Sequence, residues 1–348
     1  MDLIRLIIMV YAYLNPSSCD DTYATELLVW QMGVNMDIQN VTIAGGGVLG
    51  SQIALQSAYK GFNVTMWLRS EGSIERAQPK IERLRGIYKQ TLNAMKTDPS
   101  AYCRGLADSP DESVEALDKL IASVDAAADS IKMTCDYQEA FGNADLVIEA
   151  IAEIIDEKDA FYKAVCPYMP ERTIICTNSS TLLPSDMVGF TDRPDKFLAL
   201  HFANNIWKNN TAEVMGQAQT SQASYDEVVA FSKAIGMIPL ELKKEQPGYL
   251  LNSMLVPFLN SAEALLANGV ADVETIDKAW MLGTGAPLGP FRILDIVGLT
   301  TAYNIVAASP AAQDPNSTAA KIVAILKSYI DQGKTGINAG EGFYSYKQ

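Results

Sequence analysis

Val41-Thr42-Ile43-Ala44-Gly45-Gly46-Gly47-Val48-Leu49-Gly50 runs from a short apolar strand into a glycine-rich turn, and Ser51 to Tyr59 follows with helical spacing of apolar residues. A second strand, Phe62 to Leu68, comes after Gly61 and completes a βαβ unit of about thirty residues. Within the turn Gly45, Gly47 and Gly50 form G-x-G-x-x-G in the strand-to-helix setting that a dinucleotide requires. Gly45 permits the tight turn, Gly47 lets the backbone approach a pyrophosphate, and Gly50 lets helix and strand pack closely. The helix N-terminus supplies amide donors for the phosphates, so the whole turn, with Val48 and Leu49, is assigned to the cofactor.

Working outward, strands are expected at Leu146 to Ala150, Thr173 to Thr177, Phe197 to Phe202 and Ile238 to Leu242, separated by helical stretches. From Ser73 to Ile131 the pattern predicts two or three helices of mixed charge. Past the polar run Lys243 to Gln246 and the hinge Pro247-Gly248, only helical patterns remain. The fold class is therefore α/β, a Rossmann-type doubly wound sheet followed by an all-helical C-terminal domain. Three parts are expected: a leader at 1–35 outside the fold, a dinucleotide-binding domain at 36–243, and a helical substrate and dimerisation domain at 244–348. The leader carries an apolar stretch behind Arg5 but no small-residue cleavage site, and a membrane-targeting or partner-binding helix is its alternative.

The 348 residues are enough for two ordinary domains, and 48% hydrophobic against 20% charged residues describes a globular chain. Lysine plus arginine is 27 against 41 acids, a net charge of −14, which argues against nucleic-acid binding through phosphate neutralisation. No apolar run approaches the roughly 20 residues of a membrane-spanning helix. The five cysteines, Cys19, Cys103, Cys135, Cys166 and Cys176, are widely spaced without a CxxC pair, so neither a metal site nor a disulfide framework is expected. A reducing cytoplasm fits that usage.

The chain has a single histidine, His201, at the end of the strand Phe197 to Leu200. Ligands in doubly wound sheets sit at the carboxyl ends of strands, where a neutral imidazole suits proton transfer near pH 7. Glu213 follows on the next strand or turn, either orienting the imidazole through its far ring nitrogen or lying on the surface. Thr177-Asn178-Ser179-Ser180-Thr181 ends the preceding strand, where its groups either cap a helix or hold a carbonyl oxygen. Asn252 is a polar residue near the start of the long helix after the hinge, placed for a role across a domain cleft.

Taken together, GGGVLGSQIA, ADLVIEAIAE, TNSST, LHFAN, AEVMG, PGYLLN, GAPLGPFRILDIVGL and GEGFYSYK resemble the L-3-hydroxyacyl-CoA dehydrogenase family, from about Val41 to Lys347. The resemblance implies a catalytic His201 with partner Glu213, and substrate contacts from Ser180 and Asn252. It implies cofactor contacts from Glu153, Lys158, Asn178, Asn204 and, on weaker spacing, Lys334. It further implies an acyl-CoA substrate between the domains and a homodimer built on the helical domain.

The chain departs from the family in three places. The run after the histidine is HFANNIW, with Asn205, Ile206 and Trp207 where apolar residues and proline are usual, and Trp207 is read as limiting the acyl pocket to short chains. The stretch from Ser73 to Ile131 is long, and its Arg76, Lys80, Arg83, Arg85 and Lys89 either meet CoA phosphates or form a solvated face. Leu68 replaces the carboxylate that bonds the ribose of NAD, and Arg69 and Ser70 beside it suit the 2′-phosphate of NADP, with Glu71 as the counterweight. NAD or NADP is expected, with NADP favoured. The alternatives to a 3-hydroxyacyl-CoA dehydrogenase are a dehydrogenase of a free hydroxy acid of carnitine or gulonate type, or a non-catalytic crystallin-like relative.

Overall fold

A computed structural model describes residues 37–347. The expected leader at 1–35 lies outside the described residues. In chain order the first unit contains β1 (Asn40–Ala44), α1 (Val48–Tyr59), β2 (Asn63–Trp67), α2 (Glu71–Met95), α3 (Val114–Ser130), β3 (Lys132–Thr134), α4 (Tyr137–Phe141) and β4 (Leu146–Glu149). It continues with α5 (Ile155–Val165), β5 (Ile174–Thr177), α6 (Pro184–Met187), β6 (Phe197–Phe202), β7 (Thr211–Gly216), α7 (Gln222–Ala234) and β8 (Ile238–Leu242).

The strands form one sheet in the order β3-β2-β1-β4-β5-β6-β7-β8. From β3 to β6 every pairing is parallel, β7 runs antiparallel to β6, and β8 is parallel to β7. Strands β4, β5 and β6 are buried along their whole length, which is why they read as unbroken apolar runs rather than alternating ones. One face is covered by α1, α2, α3 and α7 through Ile53, Tyr88, Val124 and Phe231, and the other by α4, α5 and α6 through Phe141, Phe161, Tyr162 and Met187. Strand order reverses between β1 and β4, so the crevice at their carboxyl ends is where a doubly wound fold binds ligands.

The predicted strands are present, and β3 is an addition: three residues, half exposed at the sheet edge, leave too little periodicity to read. Helix α2 packs along α3 through a ladder of ion pairs. Lys96 meets Asp118 at 2.6 Å, Lys89 meets Asp125 at 2.7 Å, and Arg85 meets both Asp125 and Asp129. Two of the cations considered for CoA phosphates, Arg85 and Lys89, are therefore held by carboxylates. Lys80 donates to the Gly46 carbonyl at 2.6 Å and Arg76 to the Ser73 hydroxyl at 2.8 Å.

The chain divides between Gln246 and Pro247, three residues beyond the boundary expected at 243. The second unit contains α8 (Leu251–Ala267), α9 (Val273–Thr284), α10 (Pro290–Val297), α11 (Leu299–Ala307) and α12 (Thr318–Asp331), packed around Leu259, Ile276, Phe291, Leu294 and Leu326. Two buried aspartates explain its sequence motifs. Asp277 accepts from the Phe291 amide at 2.8 Å and the Tyr344 hydroxyl at 2.9 Å. Asp295 accepts from the amides of Phe343 and Tyr344 and from the Tyr346 hydroxyl, at 2.8 to 2.9 Å. A side chain at Gly289 or Gly342 would collide with these carboxylates, so GPFRILD and GEGFYSYK are the two halves of one buried clasp. The tail also adds two isolated antiparallel bridges, Gly336 with Glu341 and Glu341 with Ser345, to an otherwise helical unit.

Glu263 on α8 is 3% exposed, and its Oε1 meets no donor among the described residues. Burial pushes its carboxyl from 4.5 up to about 7. Between those two values the unfolded chain ionises while the folded one stays protonated, so stability is fully present below 4.5 and declines as pH rises through about 7. The loss is on the order of 3 kcal/mol. In Glu263→Gln the thermal unfolding of the helical unit should lose that pH dependence and occur several degrees higher than in the parent at pH 8. A parent Tm that stays flat between pH 5 and 8 contradicts it.

Candidate active site

The turn after β1 is shaped by two glycines that no other residue can replace. Gly45 has φ of +119°, and a Cβ there would lie 2.4 Å from the Ala150 carbonyl oxygen. A Cβ on Gly50 would lie 2.3 Å from the oxygen of Gly45 itself. At Gly47, by contrast, no heavy atom lies within 4 Å of where a Cβ would be, so its backbone faces open space. That space is a cavity of about 410 Å³ lined by Gly47 to Gly50, Glu149 to Ile151, Glu153, Lys158 and Asn178 to Thr181. The cradle is bare backbone at the head of α1, which suits the pyrophosphate of a dinucleotide.

Part of the cavity lining belongs to a buried charge network. Glu149, the last residue of β4, is wholly buried, and it accepts from Lys158 at 2.6 Å, the Ile151 amide at 2.9 Å, the Thr177 hydroxyl at 2.9 Å and the Tyr162 hydroxyl at 3.0 Å. Burial and the adjacent carboxylate push the Tyr162 phenol up, so it remains a donor. Lys158, 1% exposed, also lies 3.4 Å from Glu153. Glu153 in turn gathers the turn after β5 with one oxygen, accepting from the Ser179 hydroxyl at 2.5 Å, the Thr181 hydroxyl at 2.9 Å and the amides of Ser180 and Thr181 at 3.0 Å. Burial alone would raise its carboxyl, but Ser179, Lys158 and Thr181 outweigh that and hold it below the usual range.

The turn so held points Ser180 at the histidine. The Ser180 hydroxyl is 3.1 Å from His201 Nε2, and His201 Nδ1 is 2.9 Å from Glu213 Oε2. Both ends of the His201–Glu213 contact are buried. In the antiparallel register of β6 and β7, His201 and Glu213 are directly opposite, which puts their side chains on one face. A carboxylate can only accept, so Nδ1 carries the proton and Nε2 presents its lone pair to the Ser180 hydroxyl. Ser180, His201 and Glu213 thus form one hydrogen-bonded chain.

The other candidate residues fall in several places. Asn178 lines the cavity, and its Oδ1 accepts from the Phe202 amide at 3.2 Å. Asn204 is exposed just beyond β6, and its carbonyl accepts from the Asn209 side chain at 2.8 Å. Leu68 is buried against Gly46, Arg69 is 79% exposed and 3.7 Å from Glu157, and Ser70 stands just before α2 with its hydroxyl 3.1 Å from that of Ser73. Asn252 is the second residue of α8 in the helical unit, where Lys334 pairs with Glu341 at 2.8 Å.

One expectation is overturned. Trp207, expected to limit the acyl pocket to short chains, has its ring buried in the core of the first unit, 5.4 Å from the Tyr88 ring, and its backbone pressed against Gly105. Large aromatics in a loop gain more from burial than from lining a polar crevice. Sequence reasoning also missed Glu149 as the hub. Its signal was present: a carboxylate ending the apolar run Leu-Val-Ile, with Lys158 nine residues later on a helix.

The family model described as the 3-hydroxyacyl-CoA dehydrogenase NAD binding domain matches residues 40–246, and that for the C-terminal domain of the same enzymes matches 248–346. The chain belongs to the 3-hydroxyacyl-CoA dehydrogenase family. Its cofactor is accordingly a nicotinamide dinucleotide. A probable 3-hydroxyacyl-CoA dehydrogenase of Caenorhabditis elegans is 35% identical, over 89% of this chain and 93% of its own. A probable 3-hydroxybutyryl-CoA dehydrogenase of Bacillus subtilis (strain 168) is 28% identical, over 90% of this chain and 99% of its own. Among solved structures a diketoreductase, described for dual catalysis of dicarbonyl compounds, is 47% identical with a TM-score of 0.77, covering 89% of this chain and 99% of that one. Among the described residues no helix is long and apolar enough to cross a membrane.

The buried pair gives a direct test of the network. Replacing Lys158 by Met leaves Glu149 charged with no cation beside it, and breaking such a pair costs about 3–5 kcal/mol. Urea unfolding of Lys158→Met should show that loss in the first unit, and Glu149→Gln added to it should restore most of the stability.

Proposed function

We propose that this chain interconverts an L-3-hydroxyacyl-CoA and the corresponding 3-oxoacyl-CoA. The observation that carries the proposal is the relay from Ser180 through His201 to Glu213 beside a dinucleotide cradle. The nicotinamide, when bound, supplies or accepts the hydride. In the oxidation direction His201 Nε2 takes the proton of the substrate hydroxyl, because Glu213 keeps the ring's other nitrogen protonated. Glu213 then stabilises the imidazolium across 2.9 Å. Ser180, hydrogen-bonded to the same Nε2, turns its hydroxyl toward the substrate oxygen and holds it next to the ring. In reduction the same atoms return the proton. Asn252 is kept as a substrate contact on the motif match alone. A short acyl chain is favoured by the name of the Bacillus relative and no longer by Trp207.

A second activity, reduction of a dicarbonyl compound that carries no CoA, is favoured by two observations. One is the 47% identity to the diketoreductase. The other is the ladder on α2, where Arg85, Lys89 and Lys96 are paired with carboxylates of α3, which leaves only Arg76, Lys80 and Arg83 of the cations considered for CoA phosphates. Both activities use the same relay. We also propose a homodimer through the helical unit, which leaves Met254, Leu282 and Ile296 exposed on its surface. The four described cysteines are free thiols, which supports a reducing compartment such as the cytoplasm.

Initial rates with acetoacetyl-CoA and with pentane-2,4-dione test the two substrates. His201→Gln should lower kcat on the preferred one by about 100-fold or more, and Glu213→Gln by less. A loss under about tenfold in His201→Gln would remove the imidazole from proton transfer. A kcat/KM higher for the dione than for the thioester selects the second activity.

For the cofactor we propose that NADP is preferred over NAD. Support comes from the apolar Leu68 at the end of β2, from the largely exposed Arg69 guanidinium, whose contact with Glu157 is loose at 3.7 Å, and from the Ser70 hydroxyl at the head of α2. The parent should show a higher kcat/KM with NADPH than with NADH. Leu68→Asp combined with Arg69→Ala should reverse the order, because a carboxylate there accepts from the ribose hydroxyls and repels a 2′-phosphate. A parent that prefers NADH, or a double variant with unchanged preference, counts against the loop.

A further inference from the structure

The helix behind the glycine turn, α1, is buried from Gly50 to Tyr59, yet it carries two glutamines four residues apart, Gln52 and Gln56. That spacing puts both on one helix face. Each is engaged. Gln52, 4% exposed, accepts with its Oε1 from the Asn205 amide at 2.8 Å and the Ile206 amide at 3.3 Å. Gln56 donates to the carbonyls of Gly105 at 2.8 Å and Ile235 at 2.7 Å and accepts from the Tyr88 hydroxyl at 2.7 Å. Gly105 closes the circuit by donating its amide to the Trp207 carbonyl at 3.0 Å. The polar stripe of α1 therefore grips the segment 205–207 from two sides.

That segment is the connection between β6 and β7, the strands that carry His201 and Glu213. It is a tight turn. Asn205 has φ of +60°, and its carbonyl accepts from the amides of Lys208 and Asn209, each at 2.8 Å. Ile206 and Trp207 are sunk into the core. Where a hairpin connection is fixed, the register of its strands is fixed, and a slip of one residue turns a side chain to the opposite face. The contact between His201 and Glu213 depends on that register.

We propose that Gln52 is a positioning residue that holds the β6–β7 connection, and with it the His201–Glu213 pair, at a fixed place relative to the dinucleotide turn. The inference rests on His201 as the proton-transfer group, and it concerns a residue outside the lining of the cavity at the glycine turn. Gln52 is two residues past the last glycine of the turn, so one helix both presents its N-terminus to the cofactor and anchors the relay. Its acceptor oxygen is the only chemistry it needs.

Because His201 is the sole histidine of the chain, its imidazole can be observed without assignment in protein labelled with ¹⁵N-histidine. Four variants are compared with the parent: Gln52→Met, which keeps length but loses the acceptor; Gln52→Glu, which keeps an acceptor oxygen; Gln52→Asn, which draws the amide back by one methylene; and Thr173→Val. The last removes a buried hydrogen bond to the Ala144 carbonyl at the start of β5, away from the relay. The readouts are the imidazole ¹H–¹⁵N spectrum, kcat and the cofactor KM, with Tm as a measure of general damage.

Gln52→Met should lose the parent's Nδ1-protonated imidazole pattern and lower kcat by at least about tenfold with the cofactor KM within about twofold, since small misplacements of reacting groups cost rates of that order. Gln52→Glu should keep the parent pattern, and Thr173→Val should lower Tm while leaving pattern and kcat in place. A Gln52→Met protein with the parent's spectrum overturns the proposal, whatever its Tm. So does a Thr173→Val protein whose spectrum changes equally, or a Gln52→Glu protein that behaves like Gln52→Met. Should Gln52→Met not fold, Gln52→Asn decides by the same spectrum: an altered pattern supports the proposal and an unaltered one overturns it. Absence of turnover in the parent with every substrate above would remove the functional reading only, because the spectrum still decides the role of Gln52.

Discussion

Everything around His201 depends on a carboxylate that no solvent reaches. Glu149 ends β4 with four donors on its two oxygens, one of them the equally buried Lys158. A buried charge is tolerable only with a partner and full hydrogen bonding, so Lys158, Tyr162 and Thr177 are all tied to that point. Lys158 then draws in Glu153, Glu153 organises Ser179 to Thr181, and Ser180 meets the imidazole that Glu213 holds from behind. From Glu149 to Glu213 the polar atoms form one chain along the carboxyl ends of β4, β5, β6 and the paired β7. Its value is geometric: each group has its place because its neighbour has a place, and the cost of burying the charges is what makes any other arrangement worse.

The reversal of β7 belongs to the same logic. A parallel crossover needs a dozen or more residues and usually a helix, whereas the segment between Phe202 and Thr211 is far shorter. An antiparallel return is the connection that such a segment permits, and it sets the residue twelve positions after His201 directly opposite it. The doubly wound part of the sheet delivers the histidine to the crevice, and the one antiparallel step delivers its carboxylate.

How far the sequence told this in advance differs by element. The strand, turn and helix at Val41 to Tyr59 were legible because three constraints coincide there: an apolar run, glycines at positions where a Cβ would strike Ala150 or Gly45, and the return of helical periodicity. The His201–Glu213 contact was legible because the chain has one histidine and a carboxylate lies on the adjacent strand. Glu149 was not singled out: its place at the end of an apolar run with Lys158 nine residues on was a signal, but the letter alone does not separate a solvated carboxylate from one locked to a lysine. Trp207 was misread because position in a motif says nothing about which way a ring points; the space beside Tyr88 and the absence of a side chain at Gly105 drew it inward. β3 left no signal, being short, half exposed and at the edge.

Charge presents a last constraint. With a net charge of −14, the chain faces an anionic cofactor, and the described cations near the site are largely committed: Lys158 to Glu149 and Glu153, Arg85 and Lys89 to α3, Lys80 to the Gly46 carbonyl. What faces the cavity at the glycine turn is backbone, the open Gly47 and the first turn of α1, whose partial positive charge needs no counter-carboxylate. Dipoles fixed by the fold attract a pyrophosphate without adding a mobile cation that Glu149 or Glu153 would capture. The carboxylates of this acidic protein are thus spent on the buried network, and the glycine turn offers a pyrophosphate main-chain groups, where a Cβ at Gly45 or Gly50 would strike backbone.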